Sequence, residues 1–244
     1  MTDLCQKMDP YLSQYRAGKW RAPLFCEMVL DDMRRLGERL TVLDIGCGEG
    51  FDGSPELQER IAAQAGRYVG IEPDASIDVP PYVTEVHRCA LEDAPLEPGS
   101  VHLAFAVMVL EHVASPERFF GKLHDALAPG GVFWGFTVDR RHYFSCASRI
   151  MELLHLKDRY LRWHLGRRGD APYHNYPTCY RANSPRQVAR HARQFAQCET
   201  ANFHRIGEED YYLPWLLRPL GRLADRAIDV LRLPGAILVC RLQK

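Results

Sequence analysis

Residues 41–50 read Thr-Val-Leu-Asp-Ile-Gly-Cys-Gly-Glu-Gly: a short apolar run, Thr41 to Ile45, that breaks into glycines at Gly46, Gly48 and Gly50. Glycines directly after a strand let the backbone approach a ligand at the strand's carboxyl end, where open parallel sheets bind cofactors. Residues 67–74 read Arg-Tyr-Val-Gly-Ile-Glu-Pro-Asp, a second apolar run that ends on Glu72. Glu72 lies 22 residues beyond Gly50. An acid at the end of a second strand, at about this separation, is placed to accept both hydroxyls of a ribose. The pair indicates a nucleoside-containing cofactor. The third glycine does not have the Gly-x-Gly-x-x-Gly spacing of dinucleotide binding. Asp44, just before the turn, would repel a pyrophosphate but not an ammonium or sulfonium group.

On either side of this stretch, apolar strands alternate with amphipathic helices. Helices are predicted at 23–37, at 55–65 with Ser54 as N-cap, and at 115–127 with Ser115 capping and Pro116 at the first position. Another runs from Pro185 to about Gln197 behind Ser184. Strands are predicted at 67–71, 84–88, 101–107, 131–137, 200–205 and 236–242. This alternation specifies an α/β fold: a parallel sheet with helices on both faces.

A chain of 244 residues suits one large domain with insertions. Its 46% hydrophobic and 25% charged residues exclude a disordered tail, a collagen-like chain and a coiled coil. Lys plus Arg and Asp plus Glu are both 31, so no general affinity for polyanions is expected. No apolar run reaches the length of a membrane span, and Met1 to Asp9 lacks a signal-peptide pattern, so a cytoplasmic protein is expected. The eight cysteines show no Cys-x-x-Cys pair and no zinc spacing with His, so free thiols and no metal are expected. Charge is uneven along the chain. Residues 41–139 hold 16 acids against 5 Lys and Arg, and residues 140–190 hold 11 Lys and Arg against 3 acids.

Five ordered pieces give the chain its resemblance: Val42 to Gly50, Val69 to Asp74, Glu92 to Leu96, Val107 to Val113, and Leu127 to Gly131. Together they resemble the class I S-adenosylmethionine-dependent methyltransferases, in particular the small-molecule group of the methyltransferase type 11 kind. The resemblance implies a Rossmann-like, seven-stranded, mostly parallel sheet of order 3-2-1-4-5-7-6 with an antiparallel last strand and a lid insertion after the fifth strand. It implies an N-terminal helical cap segment over 1–40 and a methyltransferase domain over 41–244, with insertions at 139–182 and 207–233. S-adenosyl-L-methionine would be the cofactor and S-adenosyl-L-homocysteine the product. Asp44, Gly46, Cys47, Gly48 and Gly50 would hold its methionine part, with Cys47 a small filler rather than a nucleophile. Glu72, followed by Pro73, would hold the ribose. Leu91 and Glu92 would lie by the adenine. Ala106, Val107 and Met108 would line the sulfonium and substrate side. The segment 11–16, with Tyr15, would close over the cofactor. The chain departs from relatives at Ala90 and His102, where they often carry Asp, and in a longer stretch from Phe51 to Glu56.

The acceptor is less determined. Methyl transfer from a sulfonium is an in-line displacement, and a hydroxyl acceptor usually needs a general base. His112, His142 and His174 are the candidates. The basic lid points to a small anionic acceptor bearing a carboxylate, a phosphate or a linked sugar, and nucleic acid is disfavoured. The expected reaction is methylation of a hydroxyl or carboxylate oxygen of a metabolite or sugar-containing intermediate, in tailoring or biosynthesis. The alternatives are an N-, C- or S-methyltransferase, including one acting on protein, or an inactive cofactor-binding subunit. Tyr211 to Leu233 interleaves leucines with arginines and is broken by Pro214, Pro219 and Gly221. It can rest on a membrane surface, pair with a partner or second copy, cover the substrate, or pack on its own core.

Overall fold

The computed structural model describes residues 3–164 and 176–244. In chain order the elements are α1 (Asp3–Arg16), α2 (Arg21–Leu36), β1 (Thr41–Ile45), α3 (Pro55–Ala62), β2 (Arg67–Ile71), β3 (Glu85–His87), β4 (Val101–Val107), α4 (Pro116–Ala126) and β5 (Leu127–Val138). They continue as α5 (Tyr143–Leu153), α6 (Lys157–His164), α7 (Pro185–His191), β6 (Gln197–Phe203), α8 (Arg218–Leu231) and β7 (Ile237–Gln243). The seven strands form one sheet of order β3-β2-β1-β4-β5-β7-β6. β7 runs antiparallel to both neighbours, and the β1–β2, β1–β4, β2–β3 and β4–β5 pairs are parallel. This is the order and the antiparallel last strand that the resemblance implied.

β1 and β4 are apolar on both faces because both are covered. Leu103, Ala104, Phe105 and Ala106 are fully buried, as central parallel strands are. On one face Phe25 of α2 stacks on Phe136 of β5 with ring centroids 4.4 Å apart. On the other, Phe119 and Phe120 of α4 pack in the same cluster as Phe133. The connections return every parallel strand in the same direction, so the carboxyl ends of β1, β2 and β4 share one edge, the edge where such sheets bind ligands.

Boundaries differ from the sequence reading for local reasons. Ser54 caps α3 by accepting from Leu57 N at 3.4 Å, and Ser184 caps α7 by accepting from Gln187 N at 3.4 Å. Ser115 makes no side-chain cap, so α4 starts on Pro116 without one. α7 stops at His191 because the chain turns into β6 six residues later. β5 starts at Leu127, which pairs with Val101 ahead of a register shift. Segment 11–16 belongs to helix α1. The aperiodic lid contains α5 and α6.

A buried acid joins α2 to the sheet. Asp32, 1% exposed, accepts from Trp134 Nε1 of β5 at 2.9 Å and from Arg241 Nε of β7 at 2.6 Å. Removing one partner of a buried ion pair leaves an uncompensated charge, a loss of about 3 kcal/mol. Asp32→Ala should therefore lower the urea midpoint by that amount in free energy. An unchanged midpoint would mean that this network does not hold α2 to the sheet.

Candidate functional site

The glycine turn after β1 rests on a buried polar chain. Asp44, 3% exposed, accepts from Gln58 Nε2 at 2.6 Å and Tyr68 OH at 2.7 Å. The same Gln58 amide donates to Cys47 O at 2.8 Å, and Gln58 Oε1 accepts from Tyr82 OH at 2.8 Å. α3 and β2 thus hold the turn from below. Gly50 has φ +83° and sits so close to the start of α3 that a Cβ would lie 2.7 Å from Pro55 N. Only glycine fits that approach. Cys47 is buried against Gly70, and burial pushes its thiol up to about 12. It therefore fills space as a protonated thiol.

Across from the turn, Glu72 presents its carboxylate to the loop. Glu72 Oε2 accepts from Gly48 N at 3.1 Å and Oε1 from Asp74 N at 2.9 Å. A Cβ on Gly48 would come within 2.8 Å of Glu72 Oε2 and 2.4 Å of Ile77 Cγ2, so the glycine keeps the space between carboxylate and loop. Pro73 leads the chain away from Glu72 to Asp74. Leu91 is buried and, with Glu92, forms a 3-10 turn after β3. Ala106 is buried at the end of β4, beside Ile45 of β1. Val107 closes the strand. Met108, with φ +54°, turns the chain out of it while donating its N–H to Phe136 O at 2.8 Å. Non-glycine residues in this region of φ carry strain and gather at functional sites. Asp44, Gly46, Cys47, Gly48, Gly50, Glu72 and the β4 end are therefore neighbours along one edge.

A strap of chain, 176–183, crosses that edge. Tyr176 OH donates to Asp74 Oδ2 at 2.8 Å. Cys179 N and Tyr180 N donate to Glu111 O at 2.7 and 3.1 Å. Asn183 Nδ2 donates to Thr137 Oγ1 at 2.7 Å, and that hydroxyl donates to the buried Glu111 Oε2 at 2.7 Å. His112 lies beneath the strap. Its Nδ1 is 2.8 Å from Pro177 O, and a ring nitrogen against a carbonyl must be the donor. That assignment leaves Nε2 as the acceptor.

The other histidines fare differently. His142 is buried, with neither ring nitrogen hydrogen-bonded among the described residues. Burial, with His204 nearby, lowers its pKa to about 4, so its ring is neutral and weakly basic. His174 lies outside the described residues. Tyr15 is buried in α1 against Phe203 of β6, with ring centroids 5.5 Å apart, and its hydroxyl has no hydrogen-bond partner among the described residues. Its described contacts are on the β6 side of the sheet. His102 is exposed near the amino end of β4, where Nδ1 accepts from Thr41 N at 3.0 Å, on the opposite edge from the turn.

A second group of charges escaped the sequence reading. Asp52, in the turn after Gly50, takes Arg21 in a two-point pair at 2.8 and 2.9 Å. Arg21 also reaches Glu208 at 3.4 Å, and Arg205 pairs with the same Glu208. The adjacent Glu209 is buried, and desolvation together with Glu208 pushes it up to about 8. The signal available in the sequence was the acidic triplet Glu208-Glu209-Asp210 within a stretch otherwise rich in arginine. The lid's own basic charge is partly spent. Arg140 binds Tyr180 O, Arg141 binds Asp139, and Arg181 binds Ala114 O.

A family model described as a methyltransferase domain matches residues 15–195. A probable S-adenosylmethionine-dependent methyltransferase of Mycolicibacterium smegmatis is 30% identical over 103 residues, covering 41% of this chain and 38% of that protein. A ubiquinone biosynthesis O-methyltransferase of a Methylobacterium species is 32% identical over 109 residues, covering 41% and 42%. The chain thus spans about two fifths of the length of these curated relatives. Among solved structures, a geranyl diphosphate C-methyltransferase from Streptomyces coelicolor superposes with TM-score 0.53 at 15% identity, over 89% of this chain and 74% of that one. A possible histamine N-methyltransferase from Thermotoga maritima gives 0.52 at 16% identity, over 97% and 98%. At such identities the likeness establishes the fold.

Burial raises Asp44 from its ordinary 3.8 to about 7 despite its two donors. A carboxyl whose folded pKa lies above its unfolded value holds its proton more tightly when folded, so its stabilising effect is present at low pH and lost as pH rises through the folded value. Between about pH 5 and 8 the wild type should lose on the order of 1–3 kcal/mol relative to Asp44→Asn, which does not titrate. Thermal melts of both proteins across that range give the measurement. A difference that stays constant with pH would remove the buried, proton-binding Asp44.

Proposed function

The chain belongs to the class I S-adenosylmethionine-dependent methyltransferases, and from that membership we propose that it methylates an oxygen of a small acceptor beneath the 176–183 strap. Bound S-adenosylmethionine supplies an electrophilic methyl group on a sulfonium. The residues present fit that cofactor, because Gly48 leaves the space in which Glu72 faces the glycine turn. Glu72 would accept the two ribose hydroxyls, a role in which its present backbone donors already orient it. Asp44 and the Gly46 to Gly50 turn would carry the methionine part. Leu91 and Glu92 would flank the adenine. Ala106, Val107 and Met108 would face the reacting centre. Released S-adenosylhomocysteine would be the product.

The observation that carries an oxygen acceptor is the geometry of His112. Its Nδ1 is held by Pro177 O at 2.8 Å, which leaves Nε2 unprotonated in the neutral ring and able to accept a proton. His112 Nε2 would take the hydroxyl proton as the acceptor oxygen attacks, a contribution of about a hundredfold or more in rate. His142 is buried, neutral and weakly basic, and would serve as a neutral hydrogen-bond partner. An anionic acceptor is one class to screen, because residues 140–190 hold 11 Lys and Arg against 3 acids. Ubiquinone biosynthesis O-methyltransferase, among the relatives, acts by name on oxygen.

Two measurements test this. Calorimetry should show S-adenosylhomocysteine binding and no NADH binding, with affinity reduced about tenfold or more in Gly48→Ala, whose methyl invades the space beside Glu72. Turnover on a panel of hydroxylated carboxylates, phosphates and neutral alcohols should fall about a hundredfold in His112→Ala, with product affinity kept. Unchanged turnover in His112→Ala, or transfer only to amines, would overturn the oxygen reading while leaving the cofactor in place.

A further inference from the structure

Helix α8 turns its apolar side away from the domain. Only Gly221, Asp225 and Ile228 are buried, and they share the stripe that faces inward. By the helical repeat, Leu220, Leu223, Ala227, Val230 and Leu231 fall together on another side. Val230 is 80% exposed and Leu220 63%. Arg218, Arg222 and Arg226 recur every four residues and form a row along the flank between the inward stripe and the apolar one, with Asp229 on the same flank. Arg222 pairs with Asp210 at 2.7 Å. The approach to the helix adds Trp215, 70% exposed, and Leu216.

The segment is tied to the lid on its inward side. Tyr160 OH of α6 donates to Tyr212 O at 2.6 Å, and Tyr143 OH of α5 donates to the buried Asp225 Oδ1 at 2.9 Å. Residues 211–233 hold four Arg against two Asp, one of them the buried Asp225, in a chain whose net charge is zero.

An apolar stripe of this size turned to water calls for a cover. A second copy docked across a two-fold axis would set this positive surface against itself. A bilayer with anionic headgroups answers both features. Hydrocarbon takes up the leucines, the interface takes up Trp215, and the arginine row meets lipid phosphates at headgroup depth. No helix among the described residues is long and apolar enough to cross a membrane, so the contact lies in the plane. We infer that the α8 face, with Trp215 and Leu216 on its approach, docks on the surface of an anionic lipid bilayer. This inference is independent of the acceptor and of the methyl transfer itself.

The test is co-sedimentation of the full chain with vesicles of phosphatidylcholine alone and of equal parts phosphatidylcholine and phosphatidylglycerol, with tryptophan emission read in parallel. Binding is expected to the phosphatidylglycerol vesicles, with a blue shift and with loss at high salt, as for screened surface charges. The double variant Leu220→Glu, Leu223→Glu should bind about tenfold more weakly, with an unchanged circular dichroism spectrum because both positions face solvent. Arg226→Glu, which keeps the apolar stripe, should weaken binding to the anionic vesicles specifically. Three results would overturn the inference. One is no binding to either vesicle by a folded wild type. Another is equal binding to both compositions. The third is a dimer in light scattering that the leucine variant converts to monomer.

Discussion

The burial of one carboxylate organises the site. Asp44, next to last in β1, holds its carboxyl under the glycine turn, where water cannot solvate it, and the chain answers with a tyrosine from β2 and a glutamine from α3. Because Gln58 also holds Cys47 O, the first strand, the second strand and the first crossover helix are joined at one point. The backbone shape of residues 46–50 follows from that junction. The position of Glu72 follows from the same turn, since Gly48 N is one of its two donors. A polar group this deep is tolerated only where its partners are complete, so the turn is specified as a unit rather than residue by residue.

The parts of the fold legible in the sequence were those set by short-range rules. The two-sided apolar runs of β1 and β4, the serines before α3 and α7, and the ordered motifs all lay within reach of local reading. Ser115 shows the limit of that rule, since a suitable residue stood in the capping position and formed no cap. The lid hid its helices because their apolar residues do not face a core. Periodicity reports burial, and Leu153 and Leu154 are not buried. Of the site, the turn and Glu72 could be seen in advance. The clamp on Asp44 could not, because Gln58 and Tyr68 become partners only through the crossover. Nor could the set formed by Arg21, Asp52, Arg205, Glu208 and Glu209, whose members are separated by up to 188 positions (Glu209 minus Arg21) in the chain.

Those distant charges differ in character from the glycine turn. Around the glycine turn, hydrogen bonds to backbone predominate and leave little room for variation. Around Glu208, ionised side chains from α2, the loop after Gly50 and the loop after β6 balance one another, with Arg205 also stacked over Tyr15 at 5.2 Å. Such a balance can shift when a charged or polar molecule enters, because each partner has an alternative. A shared donor site with a variable acceptor site is how one fold serves many chemistries.

The strap over the edge fastens two things at once. The carbonyl that fixes the His112 tautomer belongs to Pro177, and the neighbouring Tyr176 is the residue that reaches across to Asp74. One short segment thus spans the loops after β2 and β4. Adjacent residues make the two attachments, so a substitution that frees Tyr176 from Asp74 also acts on the hydrogen bond that His112 makes.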